Sequence, residues 1–109
     1  MENSKVLALA GGVGGAKLAL GLRDILDEES LAIVVNTGDD EEFFGLHVSP
    51  DLDTVMYTLG GIANPDTGWG ISGETFRSLN RLRQYGADTW FNLGDLDMAT
   101  HIRRTQLLG

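Results

Sequence analysis

The chain has 109 residues, of which 42% are hydrophobic and 22% charged, with 15 glycines and no cysteine. That length supports one domain with a modest core, and the apolar fraction argues against a disordered polymer. A formal net charge of -8 disfavours nucleic acid and anionic membranes as partners; the lack of cysteine excludes disulfides, thiolate metal sites and a cysteine nucleophile, and fits a cytoplasmic location.

Met1 to Lys5 is polar and lacks the apolar core of a signal peptide, and no stretch is long and apolar enough to span a bilayer. Val6-Leu7-Ala8-Leu9-Ala10 reads as a buried parallel strand, left by the turn Gly11-Gly12-Val13-Gly14-Gly15. Leu18, Leu22, Ile25 and Leu26 predict a helix from Ala16 to Leu26, which Asp27-Glu28-Glu29 should stop by opposing its dipole. Leu31 to Val35 reads as a second buried strand with its exit at Asn36-Thr37-Gly38-Asp39-Asp40. Strand, helix and strand together predict a right-handed βαβ unit.

Further on, Ser49-Pro50-Asp51-Leu52-Asp53 has the composition of a helix start, with Ser49 as cap, Pro50 in the first position and two acids at the positive end. That helix should end near Gly60-Gly61, before a loop over Asn64 to Gly70. Thr75 to Tyr85 is amphipathic, with Phe76, Leu79 and Leu82 on one side and Gly86 as its stop. Trp90 to Leu93 predicts a short third strand leaving through Gly94-Asp95-Leu96-Asp97, and a last helix runs from Met98 to about Leu108.

Alternating strands and helices imply an α/β fold, in which ligands bind at the carboxyl ends of parallel strands. All three predicted exits carry glycine, and two carry paired aspartates. Eleven of the 16 acids lie in residues 1–54. Glycines before a helix let backbone N–H groups approach an anion, which points to phosphate. Neither standard phosphate motif is complete, however. Lys17 stands at the third glycine of a dinucleotide fingerprint, and Asn36 stands where a ribose-binding acid belongs. Ala16 and Leu18 around Lys17 break the P-loop pattern.

Asp39, Asp40, Asp51, Asp53, Asp95 and Asp97 would repel a polyphosphate unless a cation such as Mg²⁺ bridges them to it. Helix capping is the competing role, and it accounts for Asp51 and Asp97. His47 and His101 lack ligand-like spacing and read as ordinary packing or hydrogen-bonding residues. Arg103 and Arg104 complement the end of the last helix. Trp69 and Trp90 read as packing anchors.

Taken in order, several segments resemble the 2-phospho-L-lactate transferase family. They are Ala10-Gly11-Gly12-Val13-Gly14-Gly15-Ala16-Lys17, Val35-Asn36-Thr37-Gly38-Asp39-Asp40 and Ser49-Pro50-Asp51-Leu52-Asp53-Thr54-Val55. Gly68-Trp69-Gly70, Glu74-Thr75-Phe76 and Leu93-Gly94-Asp95-Leu96-Asp97-Met98-Ala99-Thr100-His101 continue the series. Each segment is weak alone, but the ordered set is specific. Family members are longer, so residues 1–109 are expected to form the N-terminal portion of a single transferase domain with a Rossmann-like core.

The resemblance implies an enzyme of coenzyme F-420 biosynthesis. It would transfer a phospholactyl or phosphoenolpyruvyl group from a guanosine-diphosphate-linked donor to the ribityl hydroxyl of the deazaflavin Fo, releasing GMP. Mg²⁺ is the implied cofactor and a homodimer the implied full-length assembly. By position, Gly11, Gly12, Val13, Gly14, Gly15 and Lys17 should meet the donor's phosphates. Asp39 and Asp53 are the implied catalytic acids and metal ligands. Asp53 and Asn92 match Fo-contacting positions, although some members carry a basic residue at the latter. Metal ligand and general base are competing roles for Asp53; as a base it would orient or deprotonate the attacking hydroxyl. The Gly-Gly-Val-Gly-Gly-Ala turn resembles bacterial members and favours a phosphoenolpyruvyl donor.

Two other classes compete. A nucleotide-sugar-binding regulator would share the glycine turn without a deazaflavin pocket. An NAD-linked oxidoreductase is disfavoured by Lys17 and Asn36.

Overall fold

Val6–Ala10 (β1) and Leu31–Val35 (β2) pair in parallel, with Val6 opposite Leu31 and Ala10 opposite Val35. These belong to a computed structural model that describes residues 5–109; of the polar segment Met1 to Lys5, all but Lys5 lie outside the described residues. The helix between the strands, Gly12–Ile25 (α1), begins four residues before the predicted start. Glycine's low helix propensity hides this first turn in the sequence. The crossing of helix over strand explains one glycine: a Cβ at Gly15 would lie 3.0 Å from the Ala10 Cα.

Pro50–Leu59 (α2) forms as predicted, with Pro50 in its first position, and packs along α1. Ala10, Ala16, Ala19 and Val55 form the buried core, joined by Ile33, Val35 and Leu59. Small side chains rather than the predicted leucines face the sheet from α1, which brings helix and sheet together: Ala19 is fully buried, whereas Leu18 and Ile25 are exposed. The strands are likewise covered on one face only. Leu7, Leu9 and Val34 are 63%, 76% and 52% exposed on the other face, where the continuous apolar runs predicted burial. A radius of gyration of 15.7 Å exceeds the about 13 Å of a closed domain of this length.

Between β2 and α2 lies an antiparallel hairpin of Glu41–Phe43 (β3) and Leu46–Val48 (β4) that the sequence did not suggest. Its two turn residues, Phe44 and Gly45, both have positive φ, 53° and 76°. A two-residue hairpin turn of type I′ needs that geometry at both central positions. Phenylalanine is an uncommon choice there, so the turn lacks its usual Asn-Gly signature.

Arg77–Gln84 (α3) and Asp95–Leu108 (α4) complete the described elements. The predicted third strand is a correction: Trp90 to Leu93 joins no sheet among the described residues. Its aromatic residues serve a cluster instead. The Phe43 ring stacks on Phe91 at 4.6 Å, with Trp90 edge-on at 5.2 Å. Strand propensity is overridden here by side-chain packing. The segment Gly94-Asp95-Leu96-Asp97 is therefore the start of a helix rather than the exit of a strand. No helix among the described residues is long and apolar enough to cross a membrane.

Candidate functional site

The first turn of α1, α2, the 62–76 loop and the start of α4 enclose a cavity of about 610 Å³. Gly12 and Val13 line one part of it, Asp53 and Asp97 another, and Trp69 and Phe91 supply apolar wall. Asn92 also lines the cavity. The structure thus brings Gly12, Val13, Asp53 and Asn92 to one space. Gly11, Gly14, Gly15, Lys17 and Asp39 lie outside that lining, Lys17 and Asp39 being exposed.

Asp53 stands in the first turn of α2 and is 5% exposed. Both of its carboxylate oxygens accept hydrogen bonds from the Arg104 guanidinium of α4: NH2 donates to Oδ1, and NH1 lies 3.4 Å from Oδ2. A guanidinium fork matches a carboxylate in this way, and burial strengthens the pairing. Arg104 NH1 also donates to the His47 carbonyl at 3.2 Å.

His101, one turn before Arg104, is completely buried between two acids. Its Nε2 is 2.9 Å from Asp97 Oδ2, and its Nδ1 is 3.6 Å from Asp53 Oδ2. Arg104 NH1 lies 3.3 Å from the same Nδ1. Arginine has no acceptor, so Nδ1 accepts and Nε2 carries the proton donated to Asp97. The Tyr57 hydroxyl donates to the other Asp97 oxygen. The sequence reads His101 as a lone histidine, but Asp97 and His101 are four apart on a helix and so share a face. That spacing was the available signal. Arg104, read as a complement to a helix dipole, is instead the partner of Asp53.

The two carboxyls titrate in opposite directions. Burial pushes the Asp53 pKa above its ordinary value, against the hydrogen bond and positive charge of Arg104. Burial also acts on Asp97, but hydrogen bonds from His101 and Tyr57 hold that carboxyl below the usual range. Burial and the Asp97 hydrogen bond raise the Tyr57 hydroxyl. Carboxyls driven apart by their surroundings are a common basis for dividing acid and base roles.

At the glycine end, α1 has no side-chain cap and no acid in its first turn. Its N-terminal N–H groups lack intrahelical partners, an arrangement that favours negative charge beside them. A Cβ at Gly14 would meet nothing within 4 Å, so packing does not explain that glycine. Asp51 approaches the turn: its Oδ2 lies 3.6 Å from where a Gly11 Cβ would be, and accepts from Asn36 Nδ2 at 3.3 Å. This corrects its assignment to capping. Ser49 likewise makes no side-chain cap and donates to Asp40 Oδ2 at 2.9 Å.

The donor chemistry decides what a metal could use. Asp53, Asp97 and His101 each place a ligand atom within 4.8 Å of the others. Imidazole suits transition metals, whereas Mg²⁺ takes oxygen ligands and completes its shell with phosphate and water. Asp53 on the cavity wall fits Mg²⁺ as a single carboxylate; the complete trio does not. Asp39 is not part of that group among the described residues.

A sequence profile described as 2-phospho-L-lactate transferase CofD matches residues 6–109. The phosphoenolpyruvate transferase of Streptomyces griseus subsp. griseus is 52% identical over 106 residues, covering 96% of this chain and 33% of that protein. The phosphoenolpyruvate transferase of Thermobifida fusca is 50% identical over 113 residues, covering 95% and 35%. That of Mycobacterium tuberculosis strain H37Ra is 48% identical over 118 residues, covering 95% and 36%. The chain spans about a third of the length of these relatives. With the glycine turn and the ordered acid segments matched almost from end to end, the chain belongs to the 2-phospho-L-lactate transferase family.

Proposed function

We propose that this chain supplies the donor-phosphate site and the acceptor-facing acid of a transferase in coenzyme F-420 biosynthesis. The transferase moves a phosphoenolpyruvyl or phospholactyl group from a guanosine-diphosphate-linked donor to the ribityl hydroxyl of Fo. The names of the relatives favour the phosphoenolpyruvyl donor. The observation that carries this reading is the shared cavity, lined by Gly12 and Val13 as well as by Asp53 and Asn92.

The backbone N–H groups of Gly12, Val13 and Gly14 bind the donor's phosphate oxygens, with Gly11 setting the entry to the turn and Gly15, whose N–H is used within the helix, letting the turn close onto Ala10. Lys17, exposed on α1, adds long-range attraction to the donor. The acceptor's flat ring system packs against Trp69 and Phe91, and Asn92 hydrogen-bonds its polar edge. Asp53 faces the ribityl hydroxyl in one of two competing roles: as a base it takes the hydroxyl proton as the oxygen attacks phosphorus, and as a metal ligand it leaves that proton to solvent. The new O–P bond forms as the P–O bond to GMP breaks, and GMP leaves with that oxygen. Bound Mg²⁺ would neutralise charge on the transferring phosphates, with Asp53 its protein ligand of choice and Asp39 a further carboxylate for the charged approach. In the full-length protein, a homodimer is the proposed assembly.

Calorimetry tests the reading with GDP, with and without Mg²⁺, using NAD and a UDP-sugar as comparators. Selective, magnesium-dependent GDP binding is expected. Preferential UDP-sugar binding would favour a nucleotide-sugar-binding regulator, and preferential NAD binding an oxidoreductase.

A further inference from the structure

Arg104 holds both oxygens of the one carboxylate that best suits Mg²⁺. The pair is secluded: the side chains of Arg104 and Asp53 are 11% and 7% exposed. Resting on the proposed function, we infer that Arg104 is a resident counter-ion that a divalent cation must displace from Asp53. A buried carboxylate without a nearby cation is costly, so the guanidinium compensates and orients Asp53 in the metal-free chain. A divalent cation and a guanidinium on one carboxylate repel each other, so the two compete for it. Arg104 also has somewhere to go. NH1 already donates to the His47 carbonyl at 3.2 Å and approaches His101 Nδ1 at 3.3 Å. The guanidinium can therefore release Asp53 while retaining a hydrogen bond at the wall of the site.

This exchange predicts weak metal binding by the chain alone. Titration of the wild-type chain, Arg104→Gln and the double variant Arg104→Gln/Asp53→Asn with MgCl2 by calorimetry tests it, with circular dichroism confirming the fold. Arg104→Gln should bind Mg²⁺ on the order of tenfold more tightly than wild type, and adding Asp53→Asn should remove that gain. Equal or weaker binding by Arg104→Gln overturns the inference, as does a gain that survives Asp53→Asn. Should Arg104→Gln fail to fold, the Nε–H resonance of Arg104 in the wild-type chain provides the test. It should move as Mg²⁺ is added, and an unmoved resonance overturns the exchange. The GDP titration reads the proposed function separately: magnesium-dependent GDP binding without a gain in Arg104→Gln removes only the role of Arg104.

Discussion

Glu74 and Asp95 each cap a helix begun beside the other. Glu74, just before α3, accepts from the Leu96 and Asp97 N–H groups of α4 at 2.8 and 2.9 Å. Asp95, the first residue of α4, accepts from the Arg77 and Ser78 N–H groups of α3, both at 3.0 Å. This reciprocal arrangement locks the helix that carries Asp97, His101 and Arg104 to the loop lining the cavity. It also explains Gly94, where a Cβ would collide with the Glu74 carboxylate.

Glu74→Ala should therefore destabilise the chain by about 1–2 kcal/mol, the usual scale for a lost cap. Urea unfolding at neutral pH measures it. A negligible change would remove the reciprocal cap as a stabilising feature.

Asp95 gives this cap a pH dependence. Hydrogen bonds from Thr75 and Ser78 lead the causes that hold its carboxyl well below the usual carboxylate range. A depressed folded value contributes stability above the unfolded pKa, near pH 4, and loses it as pH falls toward the folded value. Asp95→Asn should consequently be less stable than wild type at neutral pH, with the gap narrowing on acidification below about pH 4. Thermal melts across that range show whether the gap narrows.

The glycines of the first α1 turn should separate cleanly. Gly15→Ala crowds Ala10 and should lower the melting temperature. Gly14→Ala enters open space in a helix and should stabilise the fold by about 0.5–1 kcal/mol. Its methyl group would nevertheless intrude on the approach of phosphate, so GDP binding should weaken. Unchanged GDP affinity in Gly14→Ala would move the phosphate away from this turn.

Asp53 pairs with Arg104 and is also proposed to act in the reaction, and two substitutions distinguish the two. Asp53→Asn retains an acceptor for Arg104 and should preserve the fold while abolishing transfer in a full-length protein. Asp53→Ala strands the guanidinium, and breaking a buried pair in this way costs about 3–5 kcal/mol. Denaturant unfolding and turnover assays give the two readouts. Wild-type turnover in Asp53→Asn would exclude Asp53 from the reaction.

Much of this organisation was legible in residue order. The apolar runs of β1 and β2, and Pro50 opening α2, mark their elements through local pattern, although the strand runs overstate burial because one face of the sheet is uncovered. The hairpin over 41–48 was obscured because Phe44 adopts a positive φ without the expected turn residue. Trp90 to Leu93 looks like a strand because aromatic residues favour strands, yet its rings are used around Phe43. Within the site, the glycine turn and Asp53 were readable from local sequence. The Arg104–Asp53 pair was not, since it joins residues 51 positions apart and depends on how α4 crosses α2.

The central claim is that one cavity brings the donor phosphates and the acceptor together. Amide NMR of the chain, titrated separately with GDP–Mg²⁺ and with Fo, tests it most directly. GDP–Mg²⁺ should perturb Gly12, Val13 and Gly14, while Fo should perturb Asn92, Phe91 and Trp69, with Asp53 responding to both. Perturbations by GDP that spare the first turn of α1, or by Fo that spare the Asp53 and Asn92 wall, would contradict the account.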